Sequence, residues 1–186
     1  MLGLSASLTG SGGVIMEAPS APLVFEFSYS GLKPKPSELA AYSVTGSNKF
    51  RHNESFGGID HMLMHEIGQS QVGQGSHGVT IVEPYDSMAS TDKFEITFKI
   101  FIKKSDFADA AGPEGFSQIT VSYGGESKTQ TVPQNQLYTF TTGLKDVTGQ
   151  TGSDRNMIIR FTDGVADVSD ARYYLKDMLF QIFDHS

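Results

Sequence analysis

The sequence predicts an all-β protein, an antiparallel two-sheet β-sandwich of the jelly-roll type with an extended N-terminal arm. Short segments of alternating apolar and polar residues recur along the chain, which is the period of strands that bury one face. Gly occupies 20 positions and charged residues make up only 19%, a composition that suits strands and turns better than long charged helices. The 186 residues are enough for one such domain.

Residues 1–22 differ in composition from the rest of the chain. They are rich in Gly, Ser, Ala and Leu and show no sustained period, which predicts an extended arm, and the sandwich domain is predicted over residues 23–186. The arm has apolar side chains but no pattern with which to form its own core, so we expect it to bind a neighbouring protein surface. The predicted partner-binding residues are Leu2, Leu4, Leu8, Val14 and Ile15.

In the first half of the domain, strands are predicted between polar loops. Alternation over 23–29 predicts the first strand. Residues 37–41 are predicted as one helical turn after a Pro-rich stretch. The apolar patch 59–67 is flanked by glycines that leave room for about nine residues, which favours a strand over a helix. A further short strand is predicted over 79–82.

The second half contains the clearest pattern. Residues 94–103 alternate between an apolar and a largely polar face, as expected for a sandwich strand. Gly124-Gly125 separates two predicted strands and supplies the positive φ angles of a tight hairpin. Further strands are predicted over 137–142 and 157–161.

The closing strand is predicted over 172–184, and we expect it to be central because apolar residues fall on both of its sides. One predicted face consists of Tyr174, Met178, Phe180 and Ile182, and the other of Leu175, Asp177, Leu179 and Phe183.

Charge and cysteine content disfavour several functions. The formal net charge is -7, so attraction to nucleic acid or to an anionic membrane is not expected. Without cysteine the chain has neither disulfides nor thiolate metal sites. The N-terminus lacks the basic start and apolar run of a signal peptide, and no later segment approaches a membrane span.

The histidines do not form a recognisable catalytic motif. His61 and His65 are four residues apart and would share one face of a helix, but a zinc-protease motif needs Glu directly after the first His, where this chain has Met62. We therefore expect structural histidines. No motif brings a nucleophile and a base together, so the prediction is a non-enzyme without catalytic or metal-ligating residues.

Glycan recognition usually requires exposed aromatic rings beside polar groups. Tyr85 lies in a Pro-Tyr-Asp turn and Tyr123 lies beside the Gly-Gly hairpin, so these two residues are predicted to be exposed and to bind ligand. Tyr138 and Tyr174 are expected to pack in the sheets. A purely structural role remains the alternative for every one of these tyrosines.

Residues 92–184 resemble jelly-roll carbohydrate-binding modules in the order of their segments: Phe-Ile-Lys-Lys, a Gly-Gly hairpin, Tyr-Thr-Phe-Thr, Ile-Ile-Arg-Phe and a Tyr-Tyr-Leu-Lys-Asp ending. The resemblance implies a sandwich fold, a glycan ligand and a structural calcium at Asp177, with Glu17 or Glu26 as its partner. The first half lacks the early Gly-Asp-Phe-Glu segment and the usual Trp of these modules. Our prediction is no cofactor, with calcium as the alternative.

The first 13 residues are similar to the Gly-Leu-rich openings of small bacteriophage structural proteins. The predicted function is a non-enzymatic virion component, tail-associated or head-decorating, that is made in the host cytoplasm. It would bind other virion proteins or copies of itself and present a surface for glycans. The alternatives are a carbohydrate-binding module associated with a glycoside hydrolase, and a hydrolase on the same fold.

Overall fold

The computed structural model describes residues 21–42, 48–67, 77–102, 118–133, 135–162 and 171–186. The predicted arm therefore lies outside the described residues, apart from Ala21 and Pro22. Within these ranges the chain forms twelve strands and a short 3₁₀ helix, Gly152–Arg155. No helix of the described chain is long and apolar enough to cross a membrane.

The twelve strands have the following bounds. They are β1 (Leu23–Tyr29), β2 (Leu39–Tyr42), β3 (Asn48–Phe56), β4 (Ile59–Ile67), β5 (His77–Ile81), β6 (Lys93–Ile102), β7 (Gln118–Tyr123), β8 (Glu126–Thr131), β9 (Leu137–Thr141), β10 (Lys145–Asp146), β11 (Met157–Thr162) and β12 (Ala171–Phe183).

All described strand pairs are antiparallel and form two sheets. Sheet A has the order β10-β6-β12-β4-β3, with β1 also paired to β12 and β9 to β6, and sheet B has the order β2-β5-β11-β7-β8. Strand β12 is central, as predicted: one side pairs with β6, and the other pairs first with β4 and then with β1. The predicted two-sheet sandwich is thus confirmed.

One apolar core lies between the sheets. The inward side chains of β6 are almost fully buried, as their alternation predicts. Sheet B contributes alternating residues of three neighbouring strands to the same core. These inward residues are Val79, Ile81, Ile119, Val121, Tyr123, Met157, Ile159 and Phe161.

A β-bulge in β12 changes which of its residues share a face, compared with the sequence prediction. The pairing with β6 shifts between Lys176 and Leu179, and Asp177 has φ 49°. The extra residue reverses the alternation, because strand side chains have a period of two. Tyr174 therefore lies on the outer face of sheet A beside Phe101, whereas Met178 lies in the core. The prediction that Tyr174 and Met178 share a face is wrong.

Two predictions in the first half have opposite outcomes. The patch 59–67 is a strand, as its length indicates, and forms β4. The helical turn predicted over 37–41 is wrong, because β2 begins at Leu39 and pairs with β5. The strand ladder satisfies the backbone groups there, and Leu39 is fully buried, which one isolated helical turn would not achieve.

Candidate functional site

Two rows of side chains cross the outer face of sheet B. The strand registers place one residue of each strand in each row, and the intervening residues face the core. The first row is Tyr42, Gly78, Arg160, Thr120 and Thr129; the second row is Ala40, Thr80, Ile158, Ser122 and Ser127.

This face is recessed. Tyr42 on one edge strand and Ser127 on the opposite edge strand line the same cavity of about 290 Å³. Thr80 and Thr120 are each only 8% exposed although they point outwards. We call the cavity and the two rows the sheet-B groove.

The β7–β8 hairpin and the 3₁₀ helix close one end of the groove. The amide of Gly124 donates to the Asp154 carbonyl at 2.8 Å, and the amide of Gly149 donates to the Gly124 carbonyl at 2.8 Å. Gly125 has φ +78°, and a Cβ there would lie 2.5 Å from the Gly149 nitrogen, so only glycine permits this contact. The closure brings Asp154 and Asn156 to the wall of the cavity.

The polar groups of the groove differ in whether the protein already uses them. The Thr80 hydroxyl donates to the Met157 carbonyl at 3.0 Å, and the hydroxyls of Thr120 and Thr129 bond each other at 2.8 Å. By contrast, within the described ranges the side chains of Arg160 and Tyr42 have no hydrogen-bond partner in the protein. These two groups are available to a ligand.

The structure separates the two tyrosines that the sequence suggested as ligand-binding residues. Tyr85 is half-buried against the core, with its ring 6.0 Å from that of Phe25, and it does not line the groove. Burial, followed by the charge of Asp92, raises the pKa of Tyr85.

The prediction that Tyr123 is exposed is wrong. It is 1% exposed, and its ring packs edge-on against Phe94 and Phe180 in the core, although it also borders the cavity of the sheet-B groove. Burial raises the pKa of its hydroxyl well above the ordinary value. Its parity with Ile119 and Val121 is the sequence signal that indicates the inward position.

The remaining predicted site residues are those for partner binding and for calcium. Leu2, Leu4, Leu8, Val14 and Ile15 lie outside the described residues, as does Glu17. The described part of the chain contains no group of three or more His, Asp or Glu residues arranged for a metal. Asp177 instead pairs with Lys99 at 2.8 Å, and Glu26 accepts a hydrogen bond from Gln181.

The two neighbouring histidines lie on a strand, where the helical spacing no longer applies. His61 is exposed, and its Nδ1 lies 2.7 Å from Asn53 Oδ1. His65 is fully buried, with Nδ1 2.5 Å from the Tyr173 hydroxyl and its ring stacked on Phe50. These contacts fit the structural role that the sequence analysis expected.

Two other depressions have different chemistry. One, of about 560 Å³, lies on sheet A around the bulge, where Lys99 and Asp177 neutralise each other. The other, of about 600 Å³, is mostly apolar and is lined by Leu23, Leu144 and Phe183. The first depression is also lined by an aromatic residue, Tyr29, but this side chain is buried and its hydroxyl already donates to the Lys33 carbonyl.

Comparison with known proteins gives a fold but no family. No family model and no curated protein matches this sequence. Among solved structures, the adhesin domain of Lys-gingipain from Porphyromonas gingivalis aligns at 10% identity and TM-score 0.50, over 87% of this chain and 99% of that one. The fold is a jelly-roll-like β-sandwich.

Carbohydrate-binding modules are also among the solved structures that align with this chain. The C-terminal family 22 module of a Clostridium thermocellum protein aligns at 9% identity and TM-score 0.47, over 88% of this chain and 95% of that chain. A family 11 module from the same organism aligns at 13% identity and TM-score 0.44, over 84% and 94%. At these identities the likeness concerns the fold alone.

Proposed function

We propose that this protein is a non-enzymatic glycan-binding sandwich and that the glycan lies in the sheet-B groove. One observation carries the proposal: a recessed cavity reached by Tyr42 from one edge strand and Ser127 from the other. Such a concave surface can bury a ligand that runs across the strands.

The side chains at the cavity suit a sugar. A sugar ring has apolar C–H faces and hydroxyl rims, so it binds where an aromatic face lies beside hydrogen-bonding groups. Tyr42 supplies the aromatic ring, and Asp154, Asn156 and Ser122 supply polar atoms around the same space. This combination favours glycan over an apolar ligand.

Two carboxylates at the cavity require a test of the hydrolase alternative. Glu126 and Asp154 both line it, and glycoside hydrolysis uses a pair of carboxyl groups that flank the scissile bond. Glu126 Oε1 accepts a hydrogen bond from the Thr148 hydroxyl at 3.0 Å, which fits a positioned acceptor for sugar hydroxyls. Release of reducing ends from a bound polysaccharide, abolished in Glu126→Gln, would replace binding with catalysis.

The experiment is a glycan array followed by calorimetric titration of the best ligand. Tyr42→Ala should weaken binding about fivefold, because stacking of this kind contributes ~1 kcal/mol, and should leave the melting temperature nearly unchanged. Tyr85→Ala is the control, since Tyr85 lies outside the groove. Unchanged affinity in Tyr42→Ala, or no glycan bound on the array, would contradict the proposal.

The virion placement remains a prediction from residues 1–13, and docking through residues 1–22 remains a prediction from their composition. If the arm docks onto other virion proteins, deletion of residues 1–20 should abolish incorporation into the particle while the sandwich still folds. Normal incorporation of the truncated protein would remove this part of the hypothesis without affecting the glycan site.

A further inference from the structure

Arg160 is a charged residue whose side chain is unpaired in the described part of the chain. It is half-buried on the outer face of the central strand β11, where the registers place it between Gly78 and Thr120. Its guanidinium has no hydrogen bond or ion pair within the described ranges. The chain has 21 acidic and only 14 basic residues, so an unpaired cation here does not reflect a shortage of carboxylates.

A half-buried guanidinium without a partner is a good receptor for an anion. It has lost part of its hydration, and its planar fork can hold a carboxylate through two parallel hydrogen bonds. Gly78 places no side chain on one side of it, while the Thr120 hydroxyl on the other side is bonded to Thr129. Neither neighbour therefore hydrogen-bonds the guanidinium, and its row contains no competing carboxylate.

Arg160 is also close to the cavity. Ile158 lines the cavity, and Arg160 is two residues further along the same strand, which is about 7 Å. A ligand that occupies the cavity and extends along β11 would place its next unit over the guanidinium.

We propose that the sheet-B groove recognises an acidic glycan in which a carboxylate-bearing sugar lies on Arg160 and the adjacent sugar in the cavity is neutral. This inference rests on the proposed glycan-binding function and specifies its ligand class. The neutral position follows from Asp154 and Glu126, which line the cavity: they would repel a sugar carboxylate and accept hydrogen bonds from sugar hydroxyls.

The negative net charge does not oppose this contact strongly. Charges further than about 8 Å away are largely screened at physiological ionic strength, whereas a direct guanidinium–carboxylate pair in a recess is screened much less. Added salt should therefore change the affinity little, in contrast to a broad basic patch that binds a polyanion.

The test uses one oligosaccharide in two forms. A hyaluronan octasaccharide alternates acidic and neutral sugars, and its carboxyl-reduced form has the same backbone without charge. Calorimetric titration of the full chain should show binding at least about tenfold weaker for the reduced form, the effect of one charge-assisted pair. A parallel titration with 3′-sialyllactose and lactose tests for recognition of a terminal acidic sugar instead.

Variants of Arg160 test whether this residue causes the preference for the charged oligosaccharide. Arg160→Gln should bind both hyaluronan forms equally, and Arg160→Lys should retain only part of the preference, because lysine cannot form the two parallel bonds. Arg51→Gln is the matched control: Arg51 is an exposed strand residue of sheet A, so the same change there removes the same charge and should leave the preference intact. Circular dichroism confirms that each variant folds.

The outcomes separate the two proposals. Equal binding of charged and uncharged forms by the wild-type protein, or binding of neutral glycans only, overturns the acidic-ligand inference and leaves glycan binding in place. An unchanged preference in Arg160→Gln overturns the assignment to this residue. Failure to bind any glycan overturns the proposed function itself.

Discussion

The outer faces of the two sheets differ in how many of their side chains are already paired within the protein. On sheet A, Phe56 at the end of β3 reaches over the sheet and stacks on Tyr174 at 5.4 Å, within a second apolar cluster. Every ion pair described lies on that sheet: Lys49–Glu66, Arg172–Glu66, Lys93–Asp146 and Lys99–Asp177. On sheet B the described Arg160 and Tyr42 side chains stay unpaired.

This difference separates stability from recognition within one sandwich. Sheet A pairs the low-exposure carboxylate of Glu66 internally with Lys49 and Arg172, so this group has little to gain from a ligand. Sheet B bears the cost of a partly desolvated cation and has a half-buried tyrosine without a hydrogen-bond partner, which a bound glycan would offset. The comparison predicts that changes on sheet A reduce stability without affecting binding, and that changes in the side chains of the groove do the opposite.

The largest effect is expected where the groove depends on the backbone. A Cβ at position 78 would lie 1.8 Å from the Ile159 carbonyl oxygen, so Gly78→Ala must displace β5 from β11. We expect a loss of about 3 kcal/mol in the free energy of unfolding, measured by urea denaturation. Gly143→Ala is the control, because its Cβ meets open space and only its φ of +65° opposes the change; an equal loss in both variants would contradict the steric explanation.

An intermediate effect is expected at Glu66 on sheet A. The hydrogen bond from Lys49, followed by that from Arg172, holds the pKa of Glu66 below its ordinary value of 4.5. A lowered pKa contributes stability that is present above pH 4.5 and is lost as the pH falls through the folded-state value. Glu66→Gln should therefore cost about 1–2 kcal/mol at pH 7 and progressively less in acid.

Denaturation curves between pH 3 and pH 7 measure how the stability difference between Glu66→Gln and the wild-type protein decreases in acid. Asp146→Asn is the comparison, because that carboxylate is 72% exposed where it pairs with Lys93, and we expect a change close to zero. Glycan binding at pH 7 should be the same in Glu66→Gln and in the wild-type protein. A constant difference across the pH range would show that packing, rather than ionisation, explains the cost.

The smallest effect concerns the core that both sheets share. The Tyr123 hydroxyl is buried and has no hydrogen-bond partner in the described part of the protein, so Tyr123→Phe should be neutral or stabilise by up to ~1 kcal/mol. Burial raises the pKa of Tyr123, so the stability linked to its neutral form is complete below pH 10 and declines as the pH rises above it. The advantage of the Phe variant should therefore grow in alkali.

Thermal melts at pH 7 and above pH 10 test this prediction, with Tyr29→Phe as the matched control. The Tyr29 hydroxyl donates to the Lys33 carbonyl at 2.6 Å, so its removal should cost about 1 kcal/mol. If both variants are equally destabilised at pH 7, the Tyr123 hydroxyl must have a partner after all.

Sequence patterns predicted the strands with strong alternation and missed features that depend on the neighbouring strand. The apolar face of β6 follows from its period alone. The bulge at Asp177 does not, because it accommodates β4 and β1 on the same side of β12. The Gly-Gly hairpin was correctly predicted, yet closeness to a turn was taken as exposure for Tyr123, although its parity placed it inside.

The groove was harder to predict because it joins distant parts of the chain. Tyr42 follows a Pro-rich stretch in which no strand was predicted, and it reaches the site only through β2 pairing with β5. Arg160 did leave a signal: it is the one polar residue between Ile158 and Phe161, opposite the inward Ile159. That pattern indicates an outward arginine, but not that its charge stays unpaired.

The pairing of β12 has a consequence for the order of events during synthesis. Its partners β1, β4 and β6 all precede it, so each leaves the ribosome with an unpaired edge that only β12 can cover. Long-range pairing of this kind slows folding, and open edges invite association between chains. A nascent chain stalled before Ala171 would therefore be a candidate for chaperone capture, whereas the five strands of sheet B are already complete at Thr162.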